Sequence, residues 1–274
     1  MTTYPILVIG KNAKTGRRVA ERLQHQNVRV RAVSRSTDPA FDWQIPETWG
    51  ACLAGVKSVY VTYQPDLAVP QADEDIARFI DFSKQAGVEH IVLLSGRGEP
   101  GAQRAERQLM SCGLDWNVVR ANWFFQNFSE SFMLEGILAG ELMLPVGDIP
   151  EPFVDAEDIA DVVVKVLTQS DLRNRLFEVS GPRSMSFKAC MQELSEVLGR
   201  PVKFTQVPID AYIHALDEQG VPKQMQWLLR ELFTVVLDGR NSETVQGIEE
   251  VLGRPPRDYQ TYLRETRSMG VWTP

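Results

Sequence analysis

Cysteine is scarce: Cys52, Cys112 and Cys190 are the only three in 274 residues, widely separated and without a Cys-x-x-Cys pair. That excludes a disulfide framework and a zinc site and predicts reduced thiols. Histidine is as rare, with His25, His90 and His214 alone, and none stands at a spacing from a carboxylate that suggests a metal; no Gly-x-Ser-x-Gly elbow points to a hydrolase. No apolar run approaches the roughly 18 residues of a membrane span, and the first strand begins too early to leave room for a signal peptide, so a cytoplasmic protein with no membrane partner is expected. Positive charge is the minority. The net charge is -7 and no basic block or arm stands out, which speaks against a nucleic-acid partner.

What is present is the composition of a soluble globular chain, 43% hydrophobic and 24% charged, long enough for a sizeable core and for a main domain with a smaller companion. The most informative stretch is 6–36. A short apolar run, 6–9, breaks at Gly10 and leads after six residues into a helical pattern with Val19, Ala20 and Leu23 on one face; a second apolar run, 28–33, ends at Ser34, Arg35 and Ser36. This is a βαβ unit. Its turn reads Gly10, Lys11, Asn12, Ala13, Lys14, Thr15, Gly16, a Gly-x-x-Gly-x-x-Gly pattern with Ala13 at the middle position. Small residues there let backbone amides reach a pyrophosphate, and the helix that follows presents its unpaired amides and positive dipole end to the same anion. Between a strand and a helix, such a turn predicts dinucleotide binding rather than a plain connection.

The end of the second strand separates two cofactors, because an acidic residue there holds the ribose hydroxyls of NAD(H) whereas a cation suits the extra phosphate of NADP(H). Arg35 stands at that place between two serines, with Lys11 able to add charge, so NADP(H) is expected over NAD(H). The plainer reading of Arg35, a solvated surface arginine, ignores its position in the unit.

Further along, residues 41–43 are expected to form a short third strand, 47–53 a helical turn around Trp49, and 58–62 a strand whose carboxyl end places Thr62, Tyr63 and Gln64 at the cofactor cleft. A helix over 73–85 carries Ile76, Phe79, Ile80 and Ser83 on one face and stops at Gly87. Strands at 90–94 and 115–119 bracket a helix over about 102–111, and this alternation predicts a Rossmann-type doubly wound parallel sheet in an α/β fold. After Arg120, four aromatics and two amides fall within 123–128; some rings must be core, but Trp123, Phe124 and Asn127 are candidates to wall a substrate pocket beside the nicotinamide. Residues 142–154, rich in Pro and Gly, are read as a crossing to a smaller region, followed by a helix over 156–168, a strand at 176–180 returning to the sheet, a helix over 186–198 and a strand at 202–207. From Ile209 onward the pattern is mainly helical, a cap over the sheet in which His214 can reach the pocket. The domain reading is a cofactor-binding domain over 1–150 and a mixed region over 151–274 that includes the substrate cap.

Several stretches together carry a family likeness: KTGRRVAERL from Lys14, SRS from Ser34, FDW from Phe41, TW from Thr48, RFID from Arg78, LLS from Leu93, NWFFQNFSE from Asn122, PFVDAEDIADV from Pro152 and GRPP from Gly253. They extend over nearly the whole chain, which resembles the NmrA-like, atypical branch of the short-chain dehydrogenase/reductases, and within it the ergot-alkaloid-type reductases related to festuclavine and agroclavine dehydrogenases. The resemblance implies an NADP(H)-binding Rossmann domain, a small C-terminal substrate region and hydride transfer to a small organic molecule, by a monomer or homodimer. It assigns Gly10, Ala13 and Gly16 to the pyrophosphate turn and Arg35 to the 2′-phosphate.

The chain departs from the wider superfamily in one respect. Short-chain dehydrogenases usually protonate the substrate oxygen with a Tyr-x-x-x-Lys pair, and none of Tyr4, Tyr60, Tyr63, Tyr212, Tyr259 and Tyr262 has a lysine four residues on. Reduction of an iminium or a polarised double bond has less need of an acid, which suits a reductase without the pair. A non-catalytic NADP(H)-sensing regulator of the NmrA type is the alternative, and an isomerase that retains its cofactor is a third. If an acid is needed, Tyr63 and Ser95 are the first candidates and Glu106, more simply a helix-surface ion-pair partner, the third; Ser95 also falls at the cofactor.

Overall fold

The computed structural model describes residues 4–273. Strands β1 (Ile6–Ile9), β2 (Val30–Val33), β3 (Ser58–Val61), β4 (His90–Gly96), β5 (Asp115–Ala121) and β7 (Arg175–Val179) form one sheet in the order β2-β1-β3-β4-β5-β7, every pair parallel. A parallel sheet needs crossovers that cover both faces, so its central strands β1, β3 and β4 are apolar over most of their length rather than alternating. The two sides are filled by opposite members of the same runs. Leu7, Ile9, Val59, Val61, Ile91 and Leu93 point to the face covered by α2 (Trp49–Leu53), α3 (Ala72–Gln85) and α4 (Pro100–Met110). Ile6, Val8, Tyr60, Val92 and Val119 point to the other, against α1 (Lys14–His25) and α6 (Ala156–Thr168). The α/β, Rossmann-type fold class expected from the sequence is the one observed.

A third apolar cluster lies beyond the carboxyl edge. It is built by α5 (Met133–Ala139), α7 (Phe187–Leu198), α9 (Lys223–Glu231) and α11 (Tyr259–Ser268), with β6 (Glu141–Leu144) pairing in parallel with β8 (Lys203–Gln206) as a separate two-stranded sheet. Helices α8 (Ile209–Glu218) and α10 (Gly247–Leu252) are the remaining α-helices among the described residues, and five residues after α9, Leu232–Val236, wind as a π-helical turn. Asp155 starts α6 by accepting from the Glu157 amide at 3.0 Å, and it also receives Gln126 at 2.7 Å and Arg257 at 2.9 Å. One side chain so caps a helix and ties the two regions together.

Two expectations are corrected. Residues 41–43 form no strand: Phe41 and Trp43 are both buried because their rings pack with Trp49 and Phe79 beneath the sheet, while the Trp43 indole donates to the Thr62 carbonyl at 3.1 Å. The alternation that suggested a strand is that of a loop pressing two rings inward. The stretch read as a crossing loop from residue 142 instead contains β6, which the Pro and Gly downstream of it concealed.

Candidate functional site

The turn between β1 and α1 is held by contacts that leave no room for larger residues. Gly10 has φ +90°, and a Cβ on it would stand 2.2 Å from the Thr62 hydroxyl; one on Gly16 would stand 2.1 Å from the Gly10 carbonyl oxygen. The Ala13 amide donates to that carbonyl at 2.8 Å, and Ala13 is the N-cap of α1 with no side chain to satisfy the first amides. A helix end left uncapped and bordered by glycine suits an anion. Thr62 donates its hydroxyl to the Ile9 carbonyl at 3.0 Å, and Thr15 accepts from the buried Tyr60 hydroxyl at 2.9 Å, so these two side chains brace the turn. Burial lowers the pKa of Lys14, partly offset by Glu130.

A cleft of about 710 Å³ opens above this turn. Among the expected residues it brings together Gly10, Asn12, Ser34, Arg35, Ser36, Thr62 and Gln64 on its lining. Arg35 and Ser36 are exposed on its rim, and Arg35 makes no ion pair among the described residues. Lys11, Ala13, Lys14, Thr15 and Gly16 lie in the adjoining turn and first helical turn and do not line it. Sequence reasoning missed the other wall: Pro222, Gln224 and Met225, at the start of α9, reach across to the cleft together with Asp42 and Gln44. No local motif marks a residue that reaches over from 160 positions or so down the chain, so no signal was there to find. A smaller recess of about 240 Å³ adjoins, sharing Trp43, Gln44, Gln64, Pro65 and Gln224 and including Tyr63 and Asp75.

The residues expected to supply a proton are engaged elsewhere. Tyr63 donates its hydroxyl to Asp75 Oδ2 at 2.6 Å, and burial together with that carboxylate pushes the phenol well above its ordinary pKa. Ser95, at the carboxyl end of β4, donates to Glu106 Oε1 at 2.5 Å. Glu106 is only 2% exposed and is held by Arg120, whose Nη1 also donates to Glu178 at 2.8 Å. Glu106 is thus not a helix-surface partner but the centre of a buried cluster. His214 lies on the outer side of α8, 74% exposed and 3.4 Å from Glu218, and does not line the cleft.

Of the aromatic stretch, Phe125 and Phe128 are core. Trp123 is half-buried, edge-on to Phe187 at 5.6 Å and tilted against Phe233 at 5.4 Å; Phe124 packs partly under the sheet, and Asn127 is half-buried with no side-chain hydrogen bond among the described residues; none of the three lines the cleft. Beside them is a group that sequence reasoning passed over. Glu151, 2% exposed, accepts from Asn122 Nδ2 at 2.8 Å and from the Trp123 amide at 3.2 Å, and burial raises its pKa to about 7. The only mark it leaves in the sequence is a lone acid between Pro150 and Pro152.

Comparison with known proteins agrees with this geometry. No protein-family model matches the chain. It is 28% identical to prestalk A differentiation protein A of Dictyostelium discoideum, covering 97% of this chain and 94% of that one. It is 26% identical to an NAD(P)H azoreductase of Xenophilus azovorans, covering 94% and 96%, and 25% identical to agroclavine dehydrogenase of Claviceps fusiformis, covering 97% and 98%. Among solved structures, the triphenylmethane reductase of Citrobacter sp. complexed with NADP(H) superposes with a TM-score of 0.80 at 17% identity, covering 96% and 99%. A mutant NmrA superposes at 0.68 with 15% identity, covering 98% of this chain and 97% of that one.

The fold is that of a Rossmann-type α/β protein with a cleft above its first strand-to-helix turn. Within that class, the chain is similar over nearly its whole length to ergot-type dehydrogenases and, in fold, to NmrA.

Proposed function

We propose that the protein is an NADPH-dependent reductase of small, already polarised organic molecules, working without a Tyr-x-x-x-Lys pair. The observation that carries this reading is the cleft itself: an uncapped helix end and a glycine turn at its floor, and an unpaired arginine between two serines on its rim. The residues fit a phosphorylated dinucleotide. The first amides of α1 would hold the pyrophosphate, and Arg35 with Ser34 and Ser36 would hold the 2′-phosphate, a cation with hydroxyl donors being suited to a dianion. When bound, the cofactor supplies the hydride. The chain orients it: Thr62 and Gln64 border the cleft beyond β3, and the half-buried rings of Trp123 and Phe124 would form an apolar wall that keeps water from the substrate. The names of the relatives, an azoreductase and a clavine dehydrogenase, support small electrophilic acceptors. We read residues 1–150 with β7 as the cofactor-binding part and the third apolar cluster as the substrate cap.

NADPH consumption measured against azo dyes, quinones and cyclic iminium compounds tests the reading, with oxidation above the substrate-free rate for at least one class as the expected result. Binding of NADPH with no turnover on any class contradicts it. That outcome favours a non-catalytic NADP(H) sensor, for which one observation speaks: the hydroxyls of Tyr63 and Ser95 are both committed to carboxylates.

A further inference from the structure

The reductase reading leaves open where a proton comes from once the substrate has accepted a hydride. We infer that Glu151 is the proton donor of this site, carrying its proton on Oε2 and delivering it to substrate held against Trp123; the inference rests on the reductase reading.

Four features of the structure support the assignment. Position comes first: Asn122 and Trp123 follow immediately on the last residue of β5, and the space outside the carboxyl ends of the strands is where an open α/β sheet binds its ligand. Glu151 is fixed there by both of them, through Asn122 Nδ2 at 2.8 Å and the Trp123 amide at 3.2 Å.

The second feature is how these bonds are distributed. Both donors go to Oε1, as they would to the carbonyl oxygen of a neutral acid, and Oε2 has no hydrogen-bond partner among the described residues. A carboxylic acid has one oxygen that accepts and one that donates, and the surroundings of Glu151 supply only the acceptor's half.

The third feature is charge. Three other deeply buried carboxyls at this edge of the sheet have a cation or a second acid against them. Glu106 has Arg120, and Asp155 has Arg257. Glu99 shares its surroundings with Asp66, and burial and that neighbour both push its pKa up. Glu151 has no ion pair among the described residues; Arg97, the cation whose charge reaches it, spends its guanidinium on Asn122 Oδ1, Glu178 and the carbonyls of Asn241 and Glu243. A buried carboxyl without a paired charge keeps its proton to higher pH. The fourth follows from it: with a pKa of about 7, Glu151 is protonated often enough near neutrality to donate and acidic enough to let go, which is the range in which a general acid is most effective.

The step balances without further reactants. The bound cofactor would supply a hydride, two electrons and one hydrogen, to the electron-poor atom of a neutral imine, N=N or conjugated C=C acceptor and would itself be oxidised; a cationic iminium takes no proton. The π bond opens toward its other atom, which takes the proton from Glu151 Oε2. The carboxylate left behind is reprotonated from solvent before the next turnover.

The test uses the full chain and Glu151→Gln, whose amide oxygen can accept the same two hydrogen bonds and so preserves the fold. In the apo protein, carbon NMR of carboxyl-labelled glutamate is expected to show one side chain titrating near pH 7 in the wild type and missing in the variant. With NADPH and an azo, neutral imine or enone substrate that turns over, the variant is expected to lose roughly 100-fold in kcat, together with the fall in wild-type kcat above about pH 7, while its calorimetric Kd for NADPH is unchanged. A Glu151 resonance titrating near an ordinary glutamate value, or a variant with wild-type kcat and pH profile, overturns the inference. Failure of the reductase reading is separately visible as an absence of turnover by the wild type itself. In that case a resonance near pH 7 leaves Glu151 a buried acid with no reaction to serve, and its role as donor is refuted.

Discussion

The two ends of the proposed site are built on opposite principles. At the cleft above the β1–α1 turn, charge and backbone amides are left unsatisfied: α1 has no side-chain cap, and Arg35 stands exposed without an ion pair among the described residues. At the carboxyl ends of β4 and β5, polar groups are buried and paired, with Ser95, Glu106, Arg120 and Glu178 in one connected cluster, and beyond β3 Tyr63 is bonded to Asp75. The first end has the electrostatics of a surface awaiting an anion. The second is a self-contained scaffold in which Glu151 combines deep burial with an oxygen that has no hydrogen-bond partner among the described residues. Binding and chemistry therefore depend on different kinds of residue, and substitutions should separate them.

The largest effect is expected at the paired end. Arg120→Ala leaves Glu106 buried and uncompensated, which costs about 3 to 5 kcal/mol; denaturant unfolding should read that loss, whereas a mild effect would mean the cluster is more hydrated than its 2% exposure implies. At the open end Gly16→Val pushes a side chain into the Gly10 carbonyl, 2.1 Å from the first added carbon. A loss of about 3 kcal/mol in stability is expected, with NADPH binding abolished in whatever protein remains folded. Retained binding would show that the turn can shift and that its geometry is not what holds the nucleotide. The smallest effect belongs to Tyr63→Phe, which removes one donor from Asp75 and should cost about 1 to 2 kcal/mol while leaving kcat for any substrate unchanged. A large fall in kcat with stability intact would return Tyr63 to the role of acid and erase the contrast between the two ends.

How much of this could be read from the sequence follows the same division. The βαβ unit was legible because its signals are local: an apolar run, glycines at fixed offsets, an amphipathic helix and a cation at the end of the next strand all lie between Ile6 and Ser36. Helices α3 and α6 were legible for the same reason, since Ile76, Phe79 and Ile80, or Ile159, Val162 and Val163, declare one buried face at helical spacing. Residues 41–43 were misleading because a period of two records which side chains are buried, not whether the backbone is paired; Phe41 and Trp43 go inward toward Trp49 and Phe79 with no strand beside them. The reach of Gln224 and Met225 to the cleft and the link of Glu151 to Asn122 are contacts between distant parts of the chain. Nothing near either residue announces them. His214 looked able to reach the pocket because it sits in the cap, but helical phase turns it outward toward Glu218.

The central claim is that the open end is built for a phosphorylated dinucleotide, and calorimetric titration of NADPH and NADH into the wild type and Arg35→Asp tests it most directly. The account predicts that the wild type prefers NADPH and that the variant loses about 10- to 100-fold in NADPH affinity, the worth of a charge-assisted contact of about 1.5 to 3 kcal/mol, with little change for NADH. Equal affinity for both nucleotides in both proteins, or binding of neither, would contradict it.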